Sequence, residues 1–273
     1  MTPSPLDLAS ALFSLPGVTW SVMVRDAATG GVLASHQPDL ELRTASVGKL
    51  FLLVELARQL DEGLVDPNER LTWQPDEWLA DSGLWYLLDQ RQLSVLDLAV
   101  LVGAFSDNLA TNVLVRRLGI EAVQGTSYQL GFRRSRLLDR VRTERGPSDP
   151  PTLSVGSADE LSDLMSRLYE GVLISPSVSE RVLSWLATNA DLSMVAAAFD
   201  LDPLAHGEAD RGLKLANKTG TISTARIDVG VVSGRDGAVA YAVLANWAPD
   251  ADPRDEVLDM MRDMGRAIRR FVS

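Results

Sequence analysis

The chain has 273 residues, 46% of them hydrophobic, and a formal net charge of −11 at pH 7. This negative charge disfavours a polyanionic partner, and no basic cluster is interleaved with aromatic residues, so we expect no nucleic-acid binding. The chain has no cysteine and only two histidines, His36 and His206. A disulfide framework, a thiol nucleophile and a thiolate metal site are therefore excluded.

Hydropathy sets the expected compartment. No stretch reaches the roughly 18 continuous apolar residues of a membrane span, and the N-terminus lacks the basic start and long apolar core of a signal peptide. The sequence as written predicts a soluble, cytoplasmic protein, or a secreted or periplasmic one if a leader was removed. We expect a single domain over residues 1–273, a monomer, without metal or other cofactor.

Both ends of the chain predict strands. A short helix is predicted at 5–13, and strands at 18–24 and 32–35 flank turn residues in a hairpin. Strands at 227–233 and 238–247 form a second hairpin, followed by a helix at 255–271. Together they predict an antiparallel sheet of about five strands with helices on its faces.

The middle of the chain has a helical pattern. Apolar residues at helical spacing predict helices at 50–63, 95–104, 109–119, 120–130, 157–169 and 177–190. With no convincing strand between 49 and 185, we expect an all-α lobe over about 50–200. It is inserted between two parts of an α/β lobe, about 1–45 and 205–273, so the fold class is α/β (α+β).

One long irregular stretch, 134–156, interrupts the helical pattern. Prolines and glycines punctuate it at 146, 147, 150, 151 and 156. A loop of this length within a compact domain is usually functional or disordered.

A serine and a lysine stand three residues apart at the head of the first lobe helix, in Ser46-Val47-Gly48-Lys49. Residues i and i+3 share a helix face, so the Lys49 amine can lie beside the Ser46 hydroxyl as a base beside a nucleophile. Taken alone, the spacing also fits a helix N-cap and a solvated lysine. Two further motifs follow, Ser106-Asp107-Asn108 and Lys218-Thr219-Gly220-Thr221.

These motifs, in this order, resemble the signature set of class A β-lactamases and penicillin-binding proteins. The flanking segments 81–84, 93–98, 109–114 and 117–119 also resemble the class A β-lactamase-like serine hydrolase family. The resemblance covers about residues 20–247. It implies a β-lactamase/transpeptidase-like fold and a small-molecule substrate, either a β-lactam or a peptide or ester analogue.

The resemblance also implies catalytic roles. Ser46 would be acylated, with Lys49 as its base and Lys218 as the second cation that lowers the pKa of Lys49. Ser106 would pass a proton to the leaving nitrogen, or else cap the helix that starts after Asn108. The backbone N–H groups of Ser46 and Thr221 would form the oxyanion hole.

Other residues would bind substrate. Asn108 suits an amide substituent, because its side chain both donates and accepts hydrogen bonds. Thr219 and Thr221 would bind a carboxylate with Lys218, and Gly220 fits a strand that a ligand backbone approaches closely. Arg226 would add a guanidinium, unless it is an exposed strand arginine. Trp85 and Tyr86 stand where the family often has an aromatic gate, with packing as the alternative.

The glutamate that directs the deacylating water in class A enzymes has two possible positions here. Matching Leu138-Asp-Arg puts Arg142 at that position, whereas matching Arg-x-Glu puts Glu144 there. The asparagine that follows it in the family is absent in either alignment, with Ser148 or Asp149 nearest.

Three functions therefore stay open. The first is a class A-type serine β-lactamase in which Glu144 directs the water. The second is a penicillin-binding-protein-like D-alanyl peptidase or esterase that deacylates slowly. The third is a catalytically silent binding protein of the same fold.

Overall fold

The structure, a computed structural model, describes residues 15–273, so the helix predicted at 5–13 lies outside the described residues. Strands β1 to β10 are Val18–Asp26, Val32–His36, Leu42–Arg43, Arg70–Thr72, Gln92–Ser94, Arg136–Leu137, Ser154–Gly156, Lys214–Ile222, Ala225–Ser233 and Ala238–Trp247. Helices α1 to α7 are Lys49–Asp61, Val95–Phe105, Asn108–Leu118, Ile120–Gln129, Ala158–Tyr169, Pro176–Leu186 and Arg254–Val272. None of these helices within 15–273 is long and apolar enough to cross a membrane.

The main sheet joins the two ends of the chain. Its five strands lie in the order β2-β1-β10-β9-β8, and all neighbours are antiparallel. Val22 of β1 pairs with Val243 of β10. The predicted sheet of about five strands is confirmed. Strand β8, which carries Lys218 to Thr221, lies at the edge of this sheet and contacts helix α6.

Each face of the sheet covers an apolar core. Helix α7 packs on one face through Val257, Met261, Met264 and Ile268, all buried at helical spacing as predicted. Helix α1 packs in the other core, where every residue from Leu50 to Ala57 is buried. A run that is apolar except for Glu55 therefore forms the central helix that begins at Lys49.

The helical part of the chain also contains short strands, so the expectation of no strand between 49 and 185 is wrong. Strands β3, β7 and β6 form one small sheet, and β4 pairs with β5. Each has only two or three residues, too few to display an alternating pattern. Strands β6 and β7 join the two ends of the 134–156 loop beside β3, which leads to Ser46.

Candidate active site

Ser46 lies in a strained turn. It belongs to a short 3₁₀ helix, Ala45–Gly48, directly before α1. Ala45 has a φ of 48°, a left-handed conformation that side chains disfavour. The residues around Ser46 in this turn are buried, whereas Ser46 lines the main cleft. The buried neighbours therefore hold Ser46 in a fixed position on the wall of the cleft.

Two glycines let this turn lie against neighbouring strands. A Cβ on Gly220 would stand 2.3 Å from the Thr44 carbonyl oxygen and 3.3 Å from the Ser46 nitrogen. A Cβ on Gly48 would stand 2.3 Å from the Ser154 Cβ. The backbone that closely approaches Gly220 is thus that of Thr44 and Ser46 in this chain, rather than that of a ligand. It places the Ser46 N–H next to the strand that carries Thr221.

Lys49 lies beneath the cleft and is completely buried. Its Nζ donates to Ser106 O at 2.6 Å, to Ser106 Oγ at 3.3 Å and to Asn108 Oδ1 at 2.7 Å. Burial lowers the pKa of Lys49 well below its usual 10.5, and the nearby Lys218 lowers it further, against the opposing charges of Asp107 and Asp81. A lysine in this setting can give up its proton and act as a base.

Ser106 ends helix α2 with a φ of 54°, and this left-handed turn aims its carbonyl at Lys49. The N-cap of α3 is Asp107, whose Oδ1 accepts from Ala110 N at 2.8 Å. The alternative role of Ser106 as a cap of that helix is therefore wrong. Asp107 also accepts from Leu84 N and Trp85 N through Oδ2, so it holds the turn.

The proposed aromatic gate is absent from the cleft wall. Trp85 is fully buried, and its indole donates to Gln90 O at 2.7 Å. Tyr86 is partly buried against the same core. Packing, the alternative interpretation, describes both side chains.

Lys218 is the second buried cation. Burial lowers its pKa to about 8, although Asp191 and Asp228 oppose this effect, and its Nζ donates to Thr219 O at 2.9 Å. Thr219 and Thr221 line the cleft. At neutral pH most of the Lys218 population keeps its charge, so a buried cation lies behind the part of the cleft wall formed by Thr219 and Thr221.

Arg226 is directed away from the cleft. It lies opposite Thr221 across the strand pair, but its Nη1 donates to the carbonyls of Ile222 and Ala225 at 2.7 and 2.8 Å. Its Cζ lies 5.8 Å from the ring centroid of Trp247. Arg226 does not line the cleft.

Arg43, which the sequence analysis missed, does line the cleft. Its backbone exchanges hydrogen bonds with the Asn246 side chain, and its Nε lies 3.4 Å from Asn246 Oδ1. The following residue, Thr44, abuts Gly220. Arg43 therefore stands at the end of the cleft formed by β8. The only sequence feature that pointed to Arg43 was its positive charge three residues before Ser46.

The 134–156 loop presents arginines rather than a glutamate. Arg142 and Arg145 line the cleft, whereas Glu144 is exposed and does not. Asp139 Oδ2 accepts from Arg142 Nε at 2.7 Å and from Arg145 Nη1 at 2.6 Å. Although burial opposes it, these hydrogen bonds lower the pKa of Asp139. The structure does not bring Glu144 towards Ser46.

The resulting cleft has a volume of about 740 Å³, and Ser46, Ser106 and Asn108 line it. Two carboxylates, Asp81 and Asp191, also line it. Within residues 15–273, no three His, Cys, Asp or Glu side chains are grouped so that they could hold a metal ion. The cleft wall thus offers hydroxyls, amides, guanidiniums and carboxylates, with the amines of Lys49 and Lys218 buried behind it.

A family model described as the β-lactamase enzyme family matches residues 7–272. The chain belongs to the β-lactamase enzyme family. The resemblance inferred from the motifs is thereby confirmed.

Relatives of this β-lactamase-family chain include one curated protein and several solved structures. The β-lactamase regulatory protein BlaB of Streptomyces cacaoi is 27% identical over 289 residues, covering 93% of this chain and 92% of BlaB. A β-lactamase from Sphaerobacter thermophilus is 24% identical with a TM-score of 0.81, covering 94% and 92% of the two chains. A mutant of PBP-A, solved as an acyl-enzyme complex with penicillin G, is 24% identical with a TM-score of 0.77, covering 95% and 92%. The structural likenesses confirm the fold.

A buried polar chain supports β8 in this β-lactamase-family protein. Asn189 Nδ2 donates to Asn217 Oδ1 at 2.9 Å, and Asn217 Nδ2 donates to Asp228 Oδ1 at 2.9 Å. Tyr241 donates to the same Asp228 oxygen at 3.2 Å. Burial raises the pKa of Asp228 to about 6, against the hydrogen bond from Asn217. An aspartate within an apolar strand was the sequence signal for this network.

The raised pKa of Asp228 predicts how stability changes with pH. Its usual value is 3.8 and its folded value about 6, so the folded protein binds this proton more tightly than the unfolded chain. The stabilisation is complete below pH 3.8 and is lost as pH rises towards 6. Over this window we expect the free energy of unfolding of wild type, relative to Asp228→Asn, to fall by about 2–3 kcal/mol. Urea unfolding of both proteins at several pH values measures it, and a difference independent of pH would contradict it.

Proposed function

We propose that the protein is a serine acyl-transfer enzyme that takes the acyl group of a β-lactam, or of a peptide or ester analogue, onto Ser46 and releases it slowly. The observation that carries the proposal is Lys49. Lys49 is fully buried and has a lowered pKa. It is hydrogen-bonded to Ser106 and lies beneath the cleft, which Ser46 lines.

In the proposed first step, neutral Lys49 takes the proton of Ser46 Oγ as that oxygen bonds to the substrate carbonyl carbon. The backbone N–H groups of Ser46 and Thr221 stabilise the negative oxygen that forms. The carbonyl then reforms as the C–N bond breaks. Ser106 passes a proton from Lys49 to the leaving nitrogen, along the 3.3 Å contact between Lys49 Nζ and Ser106 Oγ. Lys49 is neutral again, and Ser46 carries an ester.

Substrate binding follows the charges of the cleft. Lys218, Thr219 and Thr221 would bind a carboxylate on the leaving side, with Gly220 keeping the strand close to Ser46. Arg43, which lines this end of the cleft, would contribute more to that binding than Arg226, which is bonded to its own hairpin. Asn108 would contact the acyl amide.

Slow release is supported by the loop wall. A deacylating water needs a group that accepts its proton, and the loop side chains that line the cleft include Arg142 and Arg145 but not Glu144. A guanidinium only donates hydrogen bonds and is not deprotonated in proteins. We therefore favour a long-lived acyl-enzyme over release directed by Glu144. PBP-A, which shares the fold, forms an acyl-enzyme with penicillin G in a mutant form.

Mass spectrometry of the intact protein after exposure to benzylpenicillin tests the proposal. Wild type should gain the mass of the whole drug on Ser46 and keep it for about an hour after the free drug is removed. Ser46→Ala should gain nothing. Wild type without an adduct or product would refute acyl transfer, and product without a lasting adduct would replace slow release by β-lactamase turnover.

A second candidate is a regulatory protein that binds without acyl transfer. The relationship to BlaB, a β-lactamase regulatory protein, favours it. Saturable binding of benzylpenicillin, equal in wild type and Ser46→Ala and without a mass adduct, would support this candidate against the first.

A further inference from the structure

The side chain of Asn108 is engaged at both ends. Its Oδ1 accepts from Lys49 Nζ at 2.7 Å, and its Nδ2 donates to Asp81 Oδ2 at 3.1 Å. Under the proposed function, this Nδ2 is the donor for the acyl carbonyl of the substrate. The Asp81 carboxylate therefore lies where the acyl side of a substrate would bind.

Asp81 remains accessible in this position. It is exposed and lines the cleft with Ser46, and its charge acts on Lys49. A substrate that approaches Asn108 must pass close to this carboxylate. The negative charge of Asp81 therefore attracts or repels a charged substituent on the acyl group.

Neighbouring charges do not cancel that of Asp81. On the loop wall, Arg142 and Arg145 share Asp139, and Arg142 also lies 3.3 Å from Asp149. These two arginines are thus balanced by two aspartates. With Lys49 neutral, as the proposed acylation requires, Asp81 leaves this end of the cleft negative.

The opposite end of the cleft, at β8, holds charges of both signs. Asp191, the other carboxylate of the cleft wall, acts on Lys218 and Arg226. Lys218 and Arg43 supply two cations at that end, close to the carboxylates of Asp191 and the buried Asp228. Of the two carboxylates that line the cleft, Asp191 thus has cations at its own end, and Asp81 is the one left to act on a substrate.

We propose that Asp81 is a specificity-determining residue that selects acyl donors with a positive charge near the acyl carbonyl, such as an α-ammonium acyl group. This inference rests on the proposed acylation of Ser46. The ammonium pairs with Asp81 while the acyl carbonyl accepts from Asn108 Nδ2, so no group loses its partner. A neutral acyl group displaces the Asp81 carboxylate from Asn108 Nδ2 and offers it no new partner. An anionic acyl group is repelled by the charge of Asp81.

Three penicillins that differ only at the acyl α-carbon test the inference. Benzylpenicillin carries hydrogen there, ampicillin an ammonium and carbenicillin a carboxylate. At pH 6.5 an α-ammonium, with an ordinary pKa of about 7.7–8.0, is charged. Timed mass spectrometry at low salt should give the fastest acylation of Ser46 with ampicillin and the slowest with carbenicillin. Each step should be about threefold, the size expected for an exposed charge pair.

Two variants separate Asp81 from the overall charge of the protein. Asp81→Asn keeps the side-chain shape, and with it the rates for ampicillin and carbenicillin should agree within about twofold. Asp81→Ser is a second version of the same test. Asp89→Asn makes the same change of net charge at an exposed residue outside the cleft wall, and it should keep the wild-type order.

The outcomes separate this inference from the function on which it rests. Equal rates in wild type, or an unchanged order in Asp81→Asn, would overturn the role of Asp81 while leaving the acylation of Ser46 intact. Neither labelling by nor hydrolysis of any of the three penicillins would overturn the proposed function and this inference together.

Discussion

Replacing Lys49 by methionine is expected to slow the acylation of Ser46 by about 10²–10⁴-fold, the usual contribution of a positioned base. Methionine keeps much of the apolar volume of the buried stem but cannot accept the Ser46 proton. The second-order rate constant for benzylpenicillin, from timed mass spectrometry, measures the effect. Lys214→Met, at an exposed lysine on the same strand as Lys218, should leave that rate unchanged.

The pH profile distinguishes a base from a structural residue. Lys49 must be neutral, so wild-type acylation should rise as pH passes its lowered pKa. Lys218 must be charged, and its pKa of about 8 predicts a fall in acylation above that pH. Folded Lys49→Met with a rate within tenfold of wild type, or with the same rising limb, would show that another group takes the proton.

Gly220→Ala is expected to impair both acylation and stability. The new Cβ would stand 2.3 Å from the Thr44 carbonyl oxygen, so either β8 or the turn carrying Ser46 must move. We expect a loss of about 1–3 kcal/mol in the free energy of unfolding, typical of overpacking. A displaced oxyanion-hole donor costs about 10²–10³-fold in rate, and we expect an effect near the lower end.

Gly125→Ala is the matched control for this substitution. Gly125 lies inside α4, and a Cβ there meets no atom within 4 Å. Alanine should therefore raise the free energy of unfolding by about 0.5–1 kcal/mol, because glycine is unfavourable in a helix. Urea unfolding and acylation rates of both variants provide the comparison. An acylation rate in Gly220→Ala equal to that of wild type would refute the tight contact between β8 and the Ser46 turn.

The sequence predicts much of the fold because the deciding signals are local. Alternation and a short turn identify β1, β2, β9 and β10, and the 3.6-residue period identifies α7. The motif residues were identified through the family resemblance, and their mutual positions are also local. Ser46 and Lys49 lie within one helical turn, and Ser106 and Asn108 within three residues, so their relative positions depend little on distant parts of the chain.

The remaining features depend on contacts between distant segments. The position of Glu144 relative to Arg142 depends on how Asp139 pairs within an irregular loop, where no period fixes which side chain enters the cleft. The contact of Asp81 with Asn108 joins residues 27 apart. Arg43 is held at the cleft by the pairing of β3 with β7 and by the Asn246 side chain. Trp85 could not be assigned to gate or core without knowing where the core lies.

The pairing of β1 with β10 has a consequence for synthesis of the protein. Val22 pairs with Val243, near the other end of the chain, so β1 leaves the ribosome long before its central partner exists. The helical segments between them have local contacts and can assemble during that interval. The Ser46 turn, however, rests against Gly220 on a strand made near the end. Reactivity towards benzylpenicillin should therefore arise only when the sheet closes, and it would report completion of folding in a nascent chain.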